Sequence, residues 1–518
     1  MPATGQVLGL EGTAWNLSAA LFDDDLVALR SDPYRPPTGG IHPREAAQHH
    51  AARMNAVIAP VLEAGGRPAA VAFSQGPGLG PCLRTVATAA RSLAIAFGVP
   101  LVGVNHCLAH VEIGRFATGC TDPVVLYASG ANTQVIAYLA GRYRIFGETL
   151  DIGLGNALDK FARSKGLPHP GGPAIEELAR GADLVDLPYT VKGMDLAFSG
   201  LVTAASSSTA PLGDVCRSLQ ETVFSMCVEV TERALAHAGK EEVLLVGGVG
   251  ANRRLQQMLG EMCEDRRAGF FVPEPVYLGD NAAMIAYTGR LQAAHGMTLA
   301  VADSQVDPDF RIDRVPCPWR TDRPETFRRV EPRGAEAEVE LGKIDAVKRR
   351  LPRRYRLPAL DTRLRTERTR SEARLLSAAR RAGVATPVVR DVDETTIVME
   401  RVHGDVLKAA LDEATVREAG RAVGLLHGAG IVHGDLTSSN MVVRNGRIVL
   451  IDFGLAQATE ELEARGVDVH VLLQTLASAT PDPGPLTAAF AGGYAETFPG
   501  AGQVLERETE IRRRGRYL

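Results

Sequence analysis

Two stretches about 115 residues apart carry the same pattern, and this echo constrains the fold more than any other feature of the chain. Val7–Leu10 and Leu17–Phe22 are apolar runs joined by Glu11-Gly12-Thr13-Ala14. Val124–Tyr127 and Gln134–Leu139 are apolar runs joined by Ser129-Gly130-Ala131-Asn132-Thr133. Each reads as strand, polar Gly/Thr turn, strand. The repetition predicts a duplicated α/β domain with two facing lobes, although Gly/Thr hairpins are common enough that coincidence is the rival account. A further strand, Glu242–Val246, runs into Gly247-Gly248-Val249-Gly250-Ala251-Asn252 and a helix starting near Arg253. Strand, glycine loop, helix is the arrangement that aims backbone N–H groups at a phosphate or ribose.

The texture changes around Pro308–Pro332, where prolines sit among charged residues with weak periodicity. We expect a first domain over 1–323, a linker over 324–332 and a second domain over 333–518. At 45% hydrophobic and 23% charged, the composition excludes a disordered or fibrous chain. The net charge of −4 does not by itself mark a nucleic-acid binder. No apolar run reaches about 18 residues, and the N-terminus lacks a basic start before an apolar stretch, so neither a membrane span nor a signal peptide is expected. Seven cysteines without Cys-x-x-Cys spacing favour reduced thiols and a cytoplasmic location.

In the first domain His106 and His110 stand four residues apart. On a helix their rings share one face, which suits a divalent metal; the bland account is a pair of partly buried histidines. Cys107 occupies the place where a zinc protease of the His-Glu-x-x-His type has its glutamate. Further ligands must come from elsewhere. The Tyr127–Thr133 hairpin offers hydroxyls, an amide and backbone N–H groups. Asp159 follows a Gly-x-Gly at 153–155, and Pro170-Gly171-Gly172-Pro173 leads into a helix carrying Glu176. Small-residue turns let a ligand approach the backbone closely. Together these features predict a nucleotide cleft between two lobes.

Asn-His-x-x-Ala-His-x-Glu at 105–112, Tyr-Ala-Ser-Gly-Ala-Asn-Thr-Gln at 127–134, Leu-Asp-Lys-Phe-Ala-Arg at 158–163, His-Pro-Gly-Gly-Pro at 169–173, Phe-Ser-Gly-Leu at 198–201, Gly-Gly-Val-Gly-Ala-Asn at 247–252 and Gly-Asp-Asn-Ala-Ala-Met-Ile-Ala at 279–286 occur in order. Over about residues 6–320 the set strongly resembles the universal tRNA threonylcarbamoyl transferase family, with its actin/Hsp70-like two-lobed ATPase fold. The resemblance implies a metal between the lobes, usually described as iron, with zinc also compatible with the donors. Its implied ligands are His106, His110, Tyr127 and Asp280. The implied substrate contacts are Tyr127, Ala128, Ser129, Gly130, Ala131, Asp159, Gly172, Glu176 and Asn252. Ala131 and Ala282 stand where the family normally has glycine, and Gly250 where it has alanine. If position 131 required a positive φ, alanine would strain it by about 1 kcal/mol.

The second domain carries His433-Gly434-Asp435-Leu436-Thr437-Ser438-Ser439-Asn440, then an apolar strand ending in Asp452-Phe453-Gly454. This is the order of a kinase catalytic loop and its Mg²⁺-binding motif, with Gly434 replacing the usual arginine. Upstream, Lys348 reads as the lysine that binds ATP phosphates and Glu372 as its helix partner. Only 7 of the 57 basic residues are lysines, so a lysine kept here hints at a requirement for a compact ammonium. Gly334-Ala335-Glu336 makes a poor phosphate loop, with one glycine where ordinary kinases have three. A helix-like stretch from Leu462 to Leu476 leaves no room for a long activation loop. Over about residues 330–518 this resembles the small RIO-like kinase of the archaeal and eukaryotic KEOPS complex. The two families occur as one fused archaeal chain, and this sequence looks like that fusion.

The expectation is therefore an α/β actin/Hsp70-like domain followed by an α+β bilobal RIO-like kinase domain. By resemblance the first transfers the threonylcarbamoyl group of threonylcarbamoyl-AMP to N6 of the adenosine 3′ to the anticodon, in tRNAs reading codons that start with A. The second would use ATP and Mg²⁺, with Asp435 as base and Gly334, Ala335, Glu336, Lys348, Glu372, Asn440 and Asp452 around the nucleotide. Expected partners are tRNA and other small KEOPS subunits, with no membrane. Between Lys343 and Arg374 there are 12 basic residues against 4 acidic ones, and Arg512, Arg513, Arg514 and Arg516 close the chain, so a polyanion is the natural ligand of these segments. The alternative function is a metallopeptidase fused to a serine/threonine protein kinase. The missing glutamate and the missing activation loop count against it, and the intact kinase residues count against a catalytically dead scaffold.

Overall fold

The computed structural model describes every residue except 1–4, 37–39, 140, 321–336, 478–479, 481 and 515–518. The chain divides into two compact units, one of residues 1–190 and 195–328, the other of 191–194 and 329–518. The expected linker at 324–332 lies outside the described residues, as do Gly334, Ala335, Glu336 and Arg516.

The first unit holds two five-stranded sheets of one topology. Strands β1 (Val7–Glu11), β2 (Asn16–Phe22), β3 (Leu26–Pro33), β4 (Ala70–Gly76) and β5 (Leu101–Asn105) lie in the order β3-β2-β1-β4-β5. Strands β6 (Val124–Ala128), β7 (Thr133–Leu139), β8 (Arg142–Glu148), β9 (Glu242–Val246) and β10 (Gly269–Phe271) lie in the order β10-β9-β6-β7-β8. In each sheet the first three strands form an antiparallel meander, and two later strands add in parallel on the other side of the first. Short polar turns permit the antiparallel joints, whereas parallel neighbours need a crossover long enough to hold a helix. The echo read from the sequence is thus a duplication of the sheet.

Helices cover both faces of the first sheet, which is why β1 and β2 are buried along their whole length. Leu8, Leu10, Leu17 and Phe73 pack with Val57, Val61 and Val86 on one face. Val7, Phe22, Ala72 and Val104 pack with Ala109, Ile113 and the helix Ala282–Ala294 on the other. That helix approaches the sheet at backbone distance: a Cβ on Gly9 would lie 2.4 Å from the nitrogen of Ala286. The helix His106–Thr118 joins the two sheets, because its Ala109 and Ile113 enter the first core while Leu108 and Val111 enter the second with Val125 and Ile136. All seven cysteines are free and buried.

The second unit opens with a four-stranded antiparallel sheet, whose strand Asp345–Arg349 carries Lys348, backed by the helix Pro358–Arg381, which carries Glu372. Helix Glu413–Gly428, the hairpin of Met441–Arg444 with Arg447–Leu450, and three closing helices follow. Leu426, Leu436, Leu450, Phe453, Leu472 and Tyr494 share its core. Leu462–Ala477 is helical, as the sequence predicts. Among the described residues no helix is long and apolar enough to cross a membrane.

Candidate functional sites

In the first unit, two helix N-termini bring the predicted metal residues together. His106 is the first residue of its helix, and Asn105 caps it by accepting from the nitrogen of Leu108 at 2.9 Å. Asp280 sits just before the helix Ala282–Ala294, which Asn281 caps in the same way. The side-chain amide of Asn16 donates to the carbonyl of Asp280 at 2.7 Å and fixes that turn. His106, His110 and Asp280 each offer a ligand atom, all within 4.8 Å of one another. The Nε2 atoms of His106 and His110 lie 3.4 and 3.2 Å from the same Asp280 oxygen. The Tyr127 ring packs on His110 with centroids 5.1 Å apart.

Burial works against a charge on His106, but Glu11 and Asp280 outweigh it and raise its pKa to about 10. Burial and then the neighbouring His106 lower that of His110, despite Asp280. Burial pushes the Tyr127 phenol well above its ordinary value. Two nitrogens and a carboxylate oxygen converging at one buried point make a set that fits a divalent metal, and the buried Nδ1 of His110 has no hydrogen-bond partner among the described residues. Glu11, which no motif marks as a functional group, completes this arrangement. It is fully buried, accepts from the nitrogen and hydroxyl of Thr13 at 2.7 and 2.6 Å, and lies 3.2 Å from Nδ1 of His106. The signal for it was an acid ending an otherwise apolar strand.

The Ser129–Asn132 turn is closed by its own hydrogen bonds and held from outside by the nitrogens of Gly155 and Asn156, which donate to the carbonyls of Ser129 and Gly130. Gly153 is required there: a Cβ would come within 2.4 Å of the Ala131 carbonyl. Ala131 itself has no positive φ, so the strain considered for alanine does not arise. Gly250 leaves room for Leu245 and Leu278, each only 3.2 Å from where its Cβ would stand.

The other carried-over residues hold local structure. Asp159 accepts from the nitrogen of Gly171 at 2.6 Å and lies 3.4 Å from His169. Glu176 accepts from the nitrogen of Arg253, and Asn252 caps the same helix through Arg254 and Leu255. Gly172 faces open space. Asp151, outside every motif of the sequence, accepts from the nitrogens of Phe198 and Ser199 and so anchors the 198–201 motif.

In the second unit, Lys348 donates to Glu372 and Asp452, each at 2.6 Å. Arg350 donates to the other oxygen of Glu372 at 2.6 Å, so this buried carboxylate holds a cation on each side. Burial opposes the charge on Lys348, but Asp452 and Glu372 raise its pKa above the ordinary value. The Lys348 ammonium in turn holds the Asp452 carboxyl below its usual range. Asp452 has φ 61°, a strained backbone of the kind found at functional sites. Asn440 donates to the carbonyl and the carboxylate of Asp435, both at 2.9 Å. Val339 and Leu341 pair with Lys348 and Ala346, so their side chains share one face of the sheet, and both are exposed.

The basic segment is less free than its composition implies. Arg350 and Arg356 are buried. Arg365 donates to Asp361 at 2.6 Å and Arg356 lies 3.6 Å from the same carboxylate.

Residues 26–287 match the family described as tRNA N6-adenosine threonylcarbamoyltransferase, and residues 348–470 match the RIO domain. Over 100% of its length the chain is 67% identical to 99% of the probable bifunctional tRNA threonylcarbamoyladenosine biosynthesis protein of Methanoculleus marisnigri. The proteins of the same description from Methanospirillum hungatei and Methanocorpusculum labreanum are 62% and 61% identical, with 99% of each chain covered in both cases. These matches favour transfer over the metallopeptidase alternative. The chain belongs to the family of bifunctional tRNA threonylcarbamoyladenosine biosynthesis proteins, in which a threonylcarbamoyltransferase domain is joined to a RIO kinase-like domain.

Proposed function

We propose that the first unit transfers the threonylcarbamoyl group from threonylcarbamoyl-AMP to N6 of the adenosine 3′ to the anticodon, and that the second turns over ATP in support of that cycle. The observation carrying the reading is the convergence of His106, His110 and Asp280 at two helix N-termini within a duplicated α/β fold. Helix N-termini favour the negative charge of a phosphate or of a developing oxyanion. His106, His110 and Asp280 would hold a divalent metal, iron or zinc, with Tyr127 beside them. Bound there, the metal would supply Lewis acidity toward a carbonyl or phosphate oxygen.

The Tyr127–Ala131 turn would orient the phosphate and carbamoyl oxygens. Asp159, Gly172, Glu176 and Asn252 would shape the nucleotide end. The N6 amine attacks the carbamoyl carbon, the bond to the phosphate oxygen breaks, AMP leaves and the amine gives up a proton. In the second unit Lys348 would bind phosphates, Asp452 and Asn440 would bind Mg²⁺, and Asp435 would be the base. Small KEOPS subunits are the expected partners and the cytoplasm the expected location. Nucleoside analysis of tRNA incubated with full-length protein, threonine, bicarbonate, ATP and a threonylcarbamoyl-AMP-forming enzyme tests the reading. Loss of both bound metal and modified adenosine in the His106→Ala, His110→Ala double variant is expected. Undiminished modification in that variant would overturn the site assignment.

A further inference from the structure

The catalytic loop of the second unit hangs on one buried carboxylate. Asp468, on the helix Leu462–Ala477, accepts from the nitrogen of His433 at 2.6 Å and from that of Gly434 at 2.8 Å. These are the two residues before Asp435. Gly434 has φ 78°, and a Cβ there would stand 2.3 Å from the Leu455 carbonyl. The loop therefore takes a backbone path that requires glycine at 434, and the carboxylate fixes it there through the two amides.

Asp468 is oriented in turn. Nε2 of His427, on the helix Glu413–Gly428, lies 3.3 Å from the Asp468 oxygen that binds His433. Nδ1 of His427 lies 2.7 Å from the hydroxyl of Tyr494, on the helix Gly484–Thr497. A carboxylate only accepts, so Nε2 carries the proton and Nδ1 accepts from the Tyr494 hydroxyl. Donation thus runs from Tyr494 through His427 into Asp468, where it meets the two loop N–H donors, and all three side chains are at most 1% exposed. The helices that carry it meet closely. Gly420 and Gly424 leave no room for side chains, since their Cβ atoms would fall 2.2 Å from the Phe490 carbonyl and 2.1 Å from the Thr497 hydroxyl.

We propose that Tyr494 and His427 are positioning residues for phosphoryl transfer, acting through Asp468 to set the backbone that carries Asp435. The proposal rests on the reading that the second unit turns over ATP with Asp435 as base. Tyr494 lies outside the 348–470 stretch that matches the RIO domain, so the closing helices of the chain complete the loop rather than merely cover it. Lys348, Glu372 and Asp452 stand outside this network, so it bears on turnover more than on nucleotide affinity.

Steady-state ATP hydrolysis by the full-length protein, with amide hydrogen exchange at His433 and Gly434, provides the test. Tyr494→Phe keeps the ring and removes one donor. Its kcat should fall roughly tenfold with KM for ATP changed by no more than about twofold, as expected when an interaction serves only the reacting state. The two loop amides should exchange faster while the melting temperature stays near that of the parent. In His427→Gln the amide can still donate to Asp468 without help from Tyr494, so adding Tyr494→Phe to it should cost little more. An unchanged kcat in Tyr494→Phe, while Asp435→Ala is inactive, would overturn the proposal alone. A loss that tracks the unfolded fraction, or additive losses in the double variant, would do the same. Absence of hydrolysis in the parent protein, or its persistence in Asp435→Ala, would overturn the underlying reading and the proposal with it.

Discussion

Nδ1 of His106 lies 3.2 Å from a carboxylate oxygen of Glu11, a residue whose other oxygen is already occupied by Thr13. Glu11 can only accept, so Nδ1 carries the proton and Nε2 keeps its lone pair for a metal when the ring is neutral. Glu11→Ala should weaken metal binding by about 10–100-fold, the usual loss when such an orienting partner is removed. Competition with a chromophoric chelator measures this directly. Parent-like affinity in Glu11→Ala would show that the pairing serves folding alone.

Lys348 is the second site's test of side-chain shape. Its ammonium reaches Glu372 and Asp452 at once, each at 2.6 Å, in a pocket that already contains the Arg350 guanidinium. A planar fork cannot replace a compact point charge there without displacing one carboxylate. Lys348→Arg should therefore lower ATP turnover by about 100-fold or more despite keeping the charge. Turnover within threefold or so of the parent, measured by phosphate release, would mean that charge alone matters.

Much of this was legible because local chemistry set it. The strand–turn–strand echo became two sheets of one topology, and the spacing of His106 and His110 became one helix face. Lys348 and Glu372 met as the kinase pattern required. What the sequence did not reveal depends on residues far apart along the chain. Glu11 reaches His106 across 95 residues, and Asp468 reaches Gly434 across 34. Neither belongs to a recognisable spacing, and only the fold decides that each acid lies buried beside a backbone or ring donor. Arg350 and Arg365 show the converse. A count of charges could not reveal that Glu372 and Asp361 already neutralise them.

Asp151 gives a pH-dependent consequence. Burial alone would raise its pKa, but the N–H groups of Phe198, Ser199 and Ile152 hold it below the ordinary 3.8. A carboxyl whose folded pKa is depressed contributes stability above its unfolded pKa and loses it as pH falls through the folded value. Asp151→Asn should thus lower the urea midpoint at neutral pH, and the difference from the parent should shrink as pH falls below 3.8. A difference that persists undiminished into strong acid would remove the charge from the explanation.

One helix of the second unit carries a row of arginines that, among the described residues, have no carboxylate partner. Arg350, Arg356 and Arg365 are held by carboxylates within the fold and have little charge to offer a phosphate. Arg370, Arg374 and Arg381 are exposed, and their spacing of four and seven places them on one face of the helix Pro358–Arg381. Arg512, near the end of the last helix, is exposed as well. If the phosphate backbone lies along that face, replacing the three helix arginines by glutamine should weaken binding across tRNA sequences alike. It should also flatten the salt dependence by about 0.7–0.9 in log–log slope for each phosphate left without its arginine. The Arg365→Gln variant should instead lose stability, because a buried carboxylate is left with one partner fewer, and its salt slope should hold. A filter-binding titration against salt separates the two. An unaltered slope in the triple variant would place the tRNA elsewhere, whatever the composition of the segment.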